Sequence, residues 1–270
     1  LIPNRPINFC AGCPHRASFL AIKNAIQLDG RNGILCGDVG CYGLGFGAPG
    51  FFQSRTAHAM GSGIGVANGL GNLKKFGFDQ PVLAVIGDST FFHAGIPALV
   101  NGVYNNAKFI LVILDNSATA MTGFQPHPST GQVATGDPAR IVQLEEVCRG
   151  IGAPVAICDP FDLVGTTKTL LEIMKQEDAG AKVVIMRHMC QLVMTKRRIP
   201  QKYKMRVDSE KCLADSCGCD RNCTRVFGCP GIVVDQKTGK AVIDYAICTG
   251  CGLCADVCPT GAIIRKEEGV

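Results

Sequence analysis

No apolar run in the 270 residues reaches the ~18–20 positions that a membrane-spanning helix needs. The N-terminus lacks the basic, apolar and small-residue succession of a secretory signal. Charged residues are scarce, at 18%, against 47% hydrophobic, so the chain can bury a large core in one or two domains. Acidic residues are absent from one stretch altogether. Residues 1–186 hold 13 Lys+Arg and 13 Asp+Glu, and 207–270 hold 7 and 9, whereas 187–206 hold 7 basic residues and no acidic one. The whole net charge of +5 therefore arises in that stretch. It reads as a basic linker, 188–206, serving as a solvated tether or as a docking strip for an acidic partner. It contains one aromatic residue and no recognisable module surrounds it, which argues against nucleic-acid binding. Membrane association is not expected either. Leu1 is not a start methionine, so a processed chain or a portion of a longer one is expected.

What the chain has in excess is cysteine, 16 in all. Disulfides would suit a short secreted protein, but this chain is long and spaces its cysteines like metal ligands. A reducing cytoplasm is the expected location.

Two periodicities divide the sequence. In 1–187, helical patterns alternate with short apolar runs. ASFLAIKNAIQ (17–27) is amphipathic, and GILCGD (33–38) reads as a strand entering a turn. PVLAVIGD (81–88) and FILVILDN (109–116) are continuous apolar runs ending in acid, as buried parallel strands do. Helices are expected over 91–107, 138–150 and 160–178, with strands over 153–158 and 181–187. This rhythm predicts a doubly wound, mostly parallel α/β sheet, with ligands at the carboxyl ends of its strands. Residues 207–270 differ, being loop-rich, with nine cysteines and an internal repeat. VDSEKC (207–212) matches IDYAIC (243–248), and CPGIVV (229–234) matches CPTGAII (258–264). Two like halves around cysteines predict a small α+β domain folded around inorganic cofactors, because its apolar content is too small for a core of its own.

The second half carries Cys248-x2-Cys251-x2-Cys254-x3-Cys258-Pro, the run of bacterial ferredoxins. In two-cluster ferredoxins the fourth cysteine serves the other cluster. Carried over, Cys229 joins Cys248, Cys251 and Cys254, while Cys258 joins Cys212, Cys223 and one cysteine between them. Cys219 is preferred for that place by its spacing to Cys223, with Cys217 as the alternative. A zinc ribbon does not use this crossover. Cys36, Cys148 and Cys158 lie in apolar contexts and read as core residues.

The other motif is GDS (87–89) followed by LDN (114–116). An Asp and an Asn at adjacent strand ends offer oxygens to one hard cation such as Mg²⁺, which keeps phosphate oxygens as further ligands. Ser89 opens a helix, whose free N–H groups favour an anion. Asp88 could instead merely cap that helix, but the DN partner at this spacing speaks for a magnesium-bound diphosphate.

Here the sequence resembles a known family. GDS…DN looks like the thiamine diphosphate fingerprint, and GDSTFFHAGIPALVNGVYNNAKFILVILDNSATAMTGFQPHP is similar to the large subunit of indolepyruvate:ferredoxin oxidoreductases. These form a branch of the 2-oxoacid:ferredoxin oxidoreductases. The likeness extends over FCAGCPHR, GDVGCYGLG, HAMGSGIGVANGL and the ferredoxin tail. It implies that Asp88, Asn116 and the carbonyl of Ala118 hold Mg²⁺, with Gly87 and Ser89 beside the cofactor. It also implies that Gly61, Ser62 and Gly63 of GSGIG, and Gly40 and Cys41 of GDVGC, lie near thiamine diphosphate. GSGIG is no dinucleotide signature, lacking a preceding strand and GxGxxG spacing. Cys10, Cys13, Cys41 and Cys190 would bind a proximal [4Fe–4S] cluster, making three clusters in all. The alternative leaves these as scattered thiols, with Cys10 and Cys13 as a redox pair. Among the histidines, His58 and His127 fall in motif segments and are the candidates for touching cofactor or substrate. His93 is a further one, and His188 reads as structural.

The activity the resemblance implies is oxidative decarboxylation of a 2-oxoacid, an aryl pyruvate such as indolepyruvate, to acyl-CoA and CO₂ with electrons leaving to ferredoxin. Pyruvate or 2-oxoglutarate is the alternative substrate. An electron-transfer protein without chemistry of its own and a non-oxidative decarboxylase are the rival classes. The implied partners are a pyrimidine-binding domain or subunit, which carries the activating glutamate, a smaller subunit, external ferredoxin, coenzyme A and the 2-oxoacid. Without that pyrimidine-binding domain the chain is expected to be inactive.

Overall fold

The computed structural model describes residues 7–176, 180–214, 219 and 221–267. The chain divides into two compact units, one formed by Ala17–Cys190 and the other by Leu1–Arg16 with Gln191–Val270. The expected boundaries, 1–187, 188–206 and 207–270, differ from this division at both ends. No helix among the described residues is long and apolar enough to cross a membrane.

The first unit is α/β. Its sheet has six parallel strands: β1 (Ile34–Cys36), β2 (Ser54–Thr56), β3 (Val82–Gly87), β4 (Ile110–Asp115), β5 (Val155–Cys158) and β6 (Lys182–Arg187). Their spatial order is β2-β1-β3-β4-β6-β5, with every pairing parallel. Every residue of VLAVIG and ILVILD is buried, as expected where helices cover both faces of a sheet. Ile86, Phe91, Leu99, Phe109, Leu111 and Ile185 belong to the core cluster. β5 lies at the sheet edge and is only partly buried. Hence Cys158 is half-buried, while Cys36 and Cys148 sit in the core.

The helices are α1 (Pro14–Asp29), α2 (Ser62–Gly71), α3 (Asp88–Thr90), α4 (Ile96–Tyr104), α5 (Leu144–Ile151) and α6 (Leu163–Met174). Two elements escape the sequence reading, β2 and α2. β2 is three residues, SRT, with no apolar alternation. α2 carries four glycines in ten residues, which lowers intrinsic helix propensity. One of them is required, since a Cβ on Gly63 would stand 2.6 Å from the Gly37 carbonyl oxygen. The helix expected over 91–107 begins at Asp88 and passes through a π turn, Phe91–Gly95, before α4. Pro97 explains the turn, because it has no N–H and its ring would crowd the carbonyl four residues back. The helix expected over 138–150 is shorter and starts at Leu144. α6 starts at Leu163, where the Asp162 carboxylate accepts from Gly165 N–H at 3.0 Å.

The second unit contains two antiparallel strand pairs, β7 (Tyr203–Val207) with β10 (Ile263–Glu267) and β8 (Ile232–Val234) with β9 (Ala241–Ile243). Among the described residues it also holds two short helices, α7 (Gln191–Lys196) and α8 (Leu253–Asp256), and a π turn, Asn222–Val226. The repeat is visible as structure. In one half Cys212 N–H donates to Asp208 O at 3.0 Å and Glu210 N–H to the Asp208 carboxylate at 3.0 Å. In the other, Cys248 and Ala246 bond to Asp244 in the same way, at 2.8 and 2.9 Å. Each Cys–Pro pair is followed by a strand, β8 or β10. The stretch expected to be a tether, 188–206, holds α7 and most of β7. In YKMRV, Met205 is buried, Tyr203 and Val207 are half-buried, and Lys204 and Arg206 are exposed, a strand period hidden inside a basic run.

Candidate functional site

Register assembles the α/β site. Gly87 pairs with Leu114, and Leu114 and Asp115 pair with Met186 and Arg187, so three strands end in line. The strand order reverses between β1 and β3, and ligands of doubly wound sheets bind at such a switch. Asp88 follows β3 at this point and is buried. Its Oδ1 accepts from Ser89 N–H at 2.7 Å and its Oδ2 from Asn116 N–H at 3.1 Å. The nearest helix-opening N–H is thus already bound by Asp88 itself. Asn116 is buried too, with Oδ1 accepting from Ala118 N–H at 3.3 Å. Between them Ser117 takes φ 59°, which folds the chain back sharply. Thr119 donates to Ser89 Oγ at 2.8 Å and closes the loop over the start of α3.

His127 is buried, with Nε2 3.2 Å from Asp88 Oδ2. The pair is close but not aligned as a hydrogen bond, and Nε2 is a buried atom without a hydrogen-bond partner. Ser129 Oγ lies 3.2 Å from its Nδ1. A buried carboxylate, a buried amide and an unsatisfied ring nitrogen around one strand end fit a polar ligand with a hard cation. His58 is exposed in the loop before α2 and makes no hydrogen bond or ion pair to these residues. His93 is exposed, and its Nδ1–H donates to Ser89 O at 2.7 Å. His188 Nδ1 lies 3.0 Å from Asp159, and its ring stacks on Phe161 at 3.7 Å.

The glycine-rich motifs gather on the same edge. A Cβ on Gly61 would meet Ala94 Cβ at 2.8 Å, so GSGIG packs against the π turn that follows Asp88. Ser62 spends its hydroxyl on its own turn, donating to Ala59 O at 2.7 Å. Gly40 and Gly87 both lie against the Tyr42 ring, at 2.5 and 2.7 Å from a built Cβ. A side chain before Asp88 would collide with Tyr42, a physical reason for glycine in GDS. Cys41 is half-buried at the start of a short 3₁₀ turn, Cys41–Phe46.

Two groups of this site were missed from the sequence. Asp38 follows β1, is buried, and accepts from Val39 N–H at 2.7 Å and Gly63 N–H at 3.3 Å. Burial pushes its carboxyl above the ordinary range. The Tyr42 hydroxyl lies 3.4 Å from Asp38 Oδ1 and 3.1 Å from Thr90 Oγ1, linking the ends of β1 and β3. The signal was present, since Gly37–Asp38 repeats the Gly-Asp of 87–88 after another strand. The second group braces Asn116 from behind. Arg187 Nε donates to Asp115 Oδ2 at 2.6 Å, and its fork grips Glu145 at 2.6 and 3.2 Å. Burial raises Asp115, while Arg187 pulls it and Glu145 down. Cys190 N–H donates to Asn116 O at 2.9 Å, so this buried thiol is tied to the strand end that carries Asn116.

In the second unit, one cavity is lined by Cys212, Cys219, Cys223 and Cys258, and another by Cys229, Cys248, Cys251 and Cys254. Each cavity draws one cysteine from the other half of the repeat. Burial pushes the Cys223 thiol up to about 11, with Cys258, Cys212 and Cys219 adding to it. Cys254 is raised by burial and then by Cys251, Cys229 and Cys248. The members of each quartet are thus close enough to feel one another's charge. For Cys258 burial works upward too, but donors at Thr260, Ile263 and Ala262 outweigh it and hold the thiol down. Among the described residues no three His, Cys, Asp or Glu side chains close on a lone metal ion. Quartets spread around a cavity fit a cubane, whose ligands bind four separate irons. Cys217 lies outside the described residues. Cys10 and Cys13 belong to this second unit, Cys41 and Cys190 to the α/β unit.

Comparison with known proteins agrees with both geometries. Residues 38–186 match the family described as thiamine pyrophosphate enzyme, C-terminal TPP binding domain, and residues 241–264 match the 4Fe-4S binding domain. The chain is 40% identical over 283 aligned positions to the indolepyruvate oxidoreductase subunit IorA of Pyrococcus horikoshii. It is 41% identical over 283 positions to the same subunit of Thermococcus kodakarensis. Both alignments cover 100% of this chain and 42% of the relative, so the chain spans well under half their length. Among solved structures, a 2-oxoglutarate:ferredoxin oxidoreductase from Magnetococcus marinus shares the fold, with a TM-score of 0.58 at 19% identity over 70% of this chain and 66% of that one.

Proposed function

Because the chain belongs to the thiamine pyrophosphate enzymes, through the C-terminal TPP-binding domain of that family, we propose that it is the cofactor-bearing part of a 2-oxoacid:ferredoxin oxidoreductase. The reaction is the oxidative decarboxylation of an aryl pyruvate such as indolepyruvate to its acyl-CoA and CO₂, with electrons leaving to ferredoxin. The observation that carries this reading is the presence, in one chain, of a buried Asp88–Asn116 pair at a sheet switch point and of two cavities lined by four cysteines each. A decarboxylase that keeps its electrons has no use for the second feature.

In this reading Asp88, Asn116 and the Ala118 carbonyl hold Mg²⁺. When bound, thiamine diphosphate supplies an electron sink for decarboxylation and the iron–sulfur clusters supply one-electron carriage. The protein's part is placement. Tyr42 and Asp38 fix the loops at the ends of β1 and β3, and the Arg187 fork fixes the end of β4. His127 sits beside Asp88, where its buried Nε2 can hold or accept a proton next to the diphosphate pocket. Gly61, Ser62, Gly63, Gly40, Gly87 and Ser89 shape the backbone around it. Cys212, Cys219, Cys223 and Cys258 bind one [4Fe–4S] cluster, and Cys229, Cys248, Cys251 and Cys254 a second. The resemblance supports a third on Cys10, Cys13, Cys41 and Cys190. The shortfall in length against the IorA relatives supports further domains outside this chain, and the resemblance supports a pyrimidine-binding domain and a smaller subunit as its partners.

The test uses the anaerobic holo-protein assembled with those parts, mixed with single 2-oxoacids and coenzyme A while cluster absorbance is followed. Aryl pyruvates should bleach the clusters fastest, and Asp88→Ala should abolish bleaching at unchanged iron content. A faster response to pyruvate or 2-oxoglutarate overturns the substrate assignment. Bleaching by no 2-oxoacid overturns the whole reading.

A further inference from the structure

One buried cation in the cysteine unit has no role in the reading above. Arg16 stands in the first turn of α1 and is 1% exposed. Its Nη1 donates to Phe227 O at 2.6 Å, and its Nη2 donates to Phe9 O at 2.7 Å and Asn8 Oδ1 at 3.0 Å. The rings of Phe9 and Phe227 lie 5.6 and 5.5 Å from the guanidinium carbon. All of these partners are neutral. Nε is buried with no hydrogen-bond partner. No carboxylate among the described residues pairs with Arg16.

A buried guanidinium without a counter-charge is costly and survives only where something anionic offsets it. The surroundings say what that is. Phe227 precedes Gly228 and Cys229, and a Cβ on Gly228 would stand 3.5 Å from Nη1. Phe227 also lines the cavity of Cys229, Cys248, Cys251 and Cys254, as do Ala11 and Gly12, the two residues between Cys10 and Cys13. Burial pushes the guanidinium pKa down, and the thiols of Cys229, Cys13, Cys10 and Cys251 push it back up. Of these sulfurs Cys229 acts most strongly, and Cys10 and Cys13, proposed above as ligands of the third centre, are felt as well. A cubane held by four thiolates carries net negative charge, which increases by one unit on reduction.

We infer that Arg16 is the fixed counter-cation of the iron–sulfur centre on Cys229, Cys248, Cys251 and Cys254, and that its charge makes this centre easier to reduce. The inference rests on the cluster reading above. Arg16 touches no substrate, so it is a tuning residue rather than a catalytic one. Its fixed positive charge favours the reduced centre over the oxidised one, in an interior where water screens little. The centre on Cys212, Cys219, Cys223 and Cys258 has no such partner in Arg16, so the cation distinguishes the two.

The experiment is a redox titration with dithionite, followed by electron paramagnetic resonance, on anaerobic holo-protein with its partner subunits. Cys251→Ser, Cys223→Ser and Cys10→Ser assign the reduced-cluster signals of the three proposed centres. Arg16→Gln should lower the reduction equilibrium constant of the signal altered by Cys251→Ser by tenfold or more, which is 59 mV for one electron. Arg16→Lys should retain most of the parent value. Asn8→Asp leaves Arg16 in place but sets a carboxylate against Nη2, and should shift the same signal in the same direction. The signal altered by Cys223→Ser should stay where it is. Unchanged potentials in Asn8→Asp and in iron-replete Arg16→Gln overturn the inference, as does an equal shift of the signals altered by Cys251→Ser and Cys223→Ser. If Arg16→Gln sheds iron, Asn8→Asp alone decides. A parent protein without two distinguishable [4Fe–4S] signals in this unit overturns the cluster reading itself.

Discussion

In the α/β unit, β3 and β4 bury every residue, and the core takes in side chains from helices on the sheet's faces. In the cysteine unit, β7, β8 and β9 each bury only one or two residues, and the buried apolar side chains include Met205, Phe227, Ile232, Ile243, Leu253 and Ile263. Few large side chains among the described residues are buried here, in a unit that holds nine cysteines in 207–270. The first unit thus has the means to shape its site before any cofactor arrives. The second lines its cavities with cysteines, so under the proposed cluster reading metal binding becomes part of its folding free energy.

The largest expected effect comes from removing iron. Chelation under reducing conditions should abolish hydrogen-exchange protection across 203–267 while leaving 82–115 protected. Equal loss in both regions, or in neither, would break the contrast between the units. A smaller effect should follow from Gly63→Ala, whose Cβ would stand 2.6 Å from the Gly37 carbonyl oxygen. Overpacking against backbone should cost about 1–3 kcal/mol, read from urea unfolding of the α/β unit, with iron content unchanged. The smallest effect is a slope. Burial raises the Asp38 pKa, so the folded chain holds this proton more tightly than the unfolded chain. The contribution of this carboxyl to stability is fully present below about pH 4 and falls as pH rises through the folded-state value. The stability of Asp38→Asn relative to the parent should therefore be flat below about pH 4 and should climb above it. A relative stability independent of pH would mean that the donors at Val39, Gly61 and Gly63 fully offset burial.

How legible each part was in the sequence follows the same physics. β3 and β4 could be read because a strand buried on both faces leaves an unbroken apolar run. α2 could not, because close approach to the Gly37 carbonyl demands glycine, and glycine erases the helical signature. β7 was masked by Lys204 and Arg206, although Tyr203, Met205 and Val207 keep the period of two. The two quartets could be grouped because the spacing of Cys248, Cys251, Cys254 and Cys258 matches the ferredoxin run, whose fourth cysteine crosses to the other half. The irregular first half left Cys217 as an alternative to Cys219, which spacing to Cys223 preferred and which lines the cavity. Asp88 and Asn116 were legible as a motif. Asp38, Tyr42, Arg187 and Glu145 were not, because their meeting depends on strand order rather than on nearness in the chain.

The exchange of Cys229 and Cys258 between the halves limits how this region could arise or be trimmed. A duplicated segment that kept all its ligands to itself could later be lost, leaving a working half-size descendant. Here each half places its last sulfur in the cavity of its twin, so under the proposed cluster reading deletion of either leaves the survivor one ligand short. On that reading the pair is the smallest inheritable unit, and a boundary drawn between 234 and 241 for a shorter version would disable both proposed centres at once.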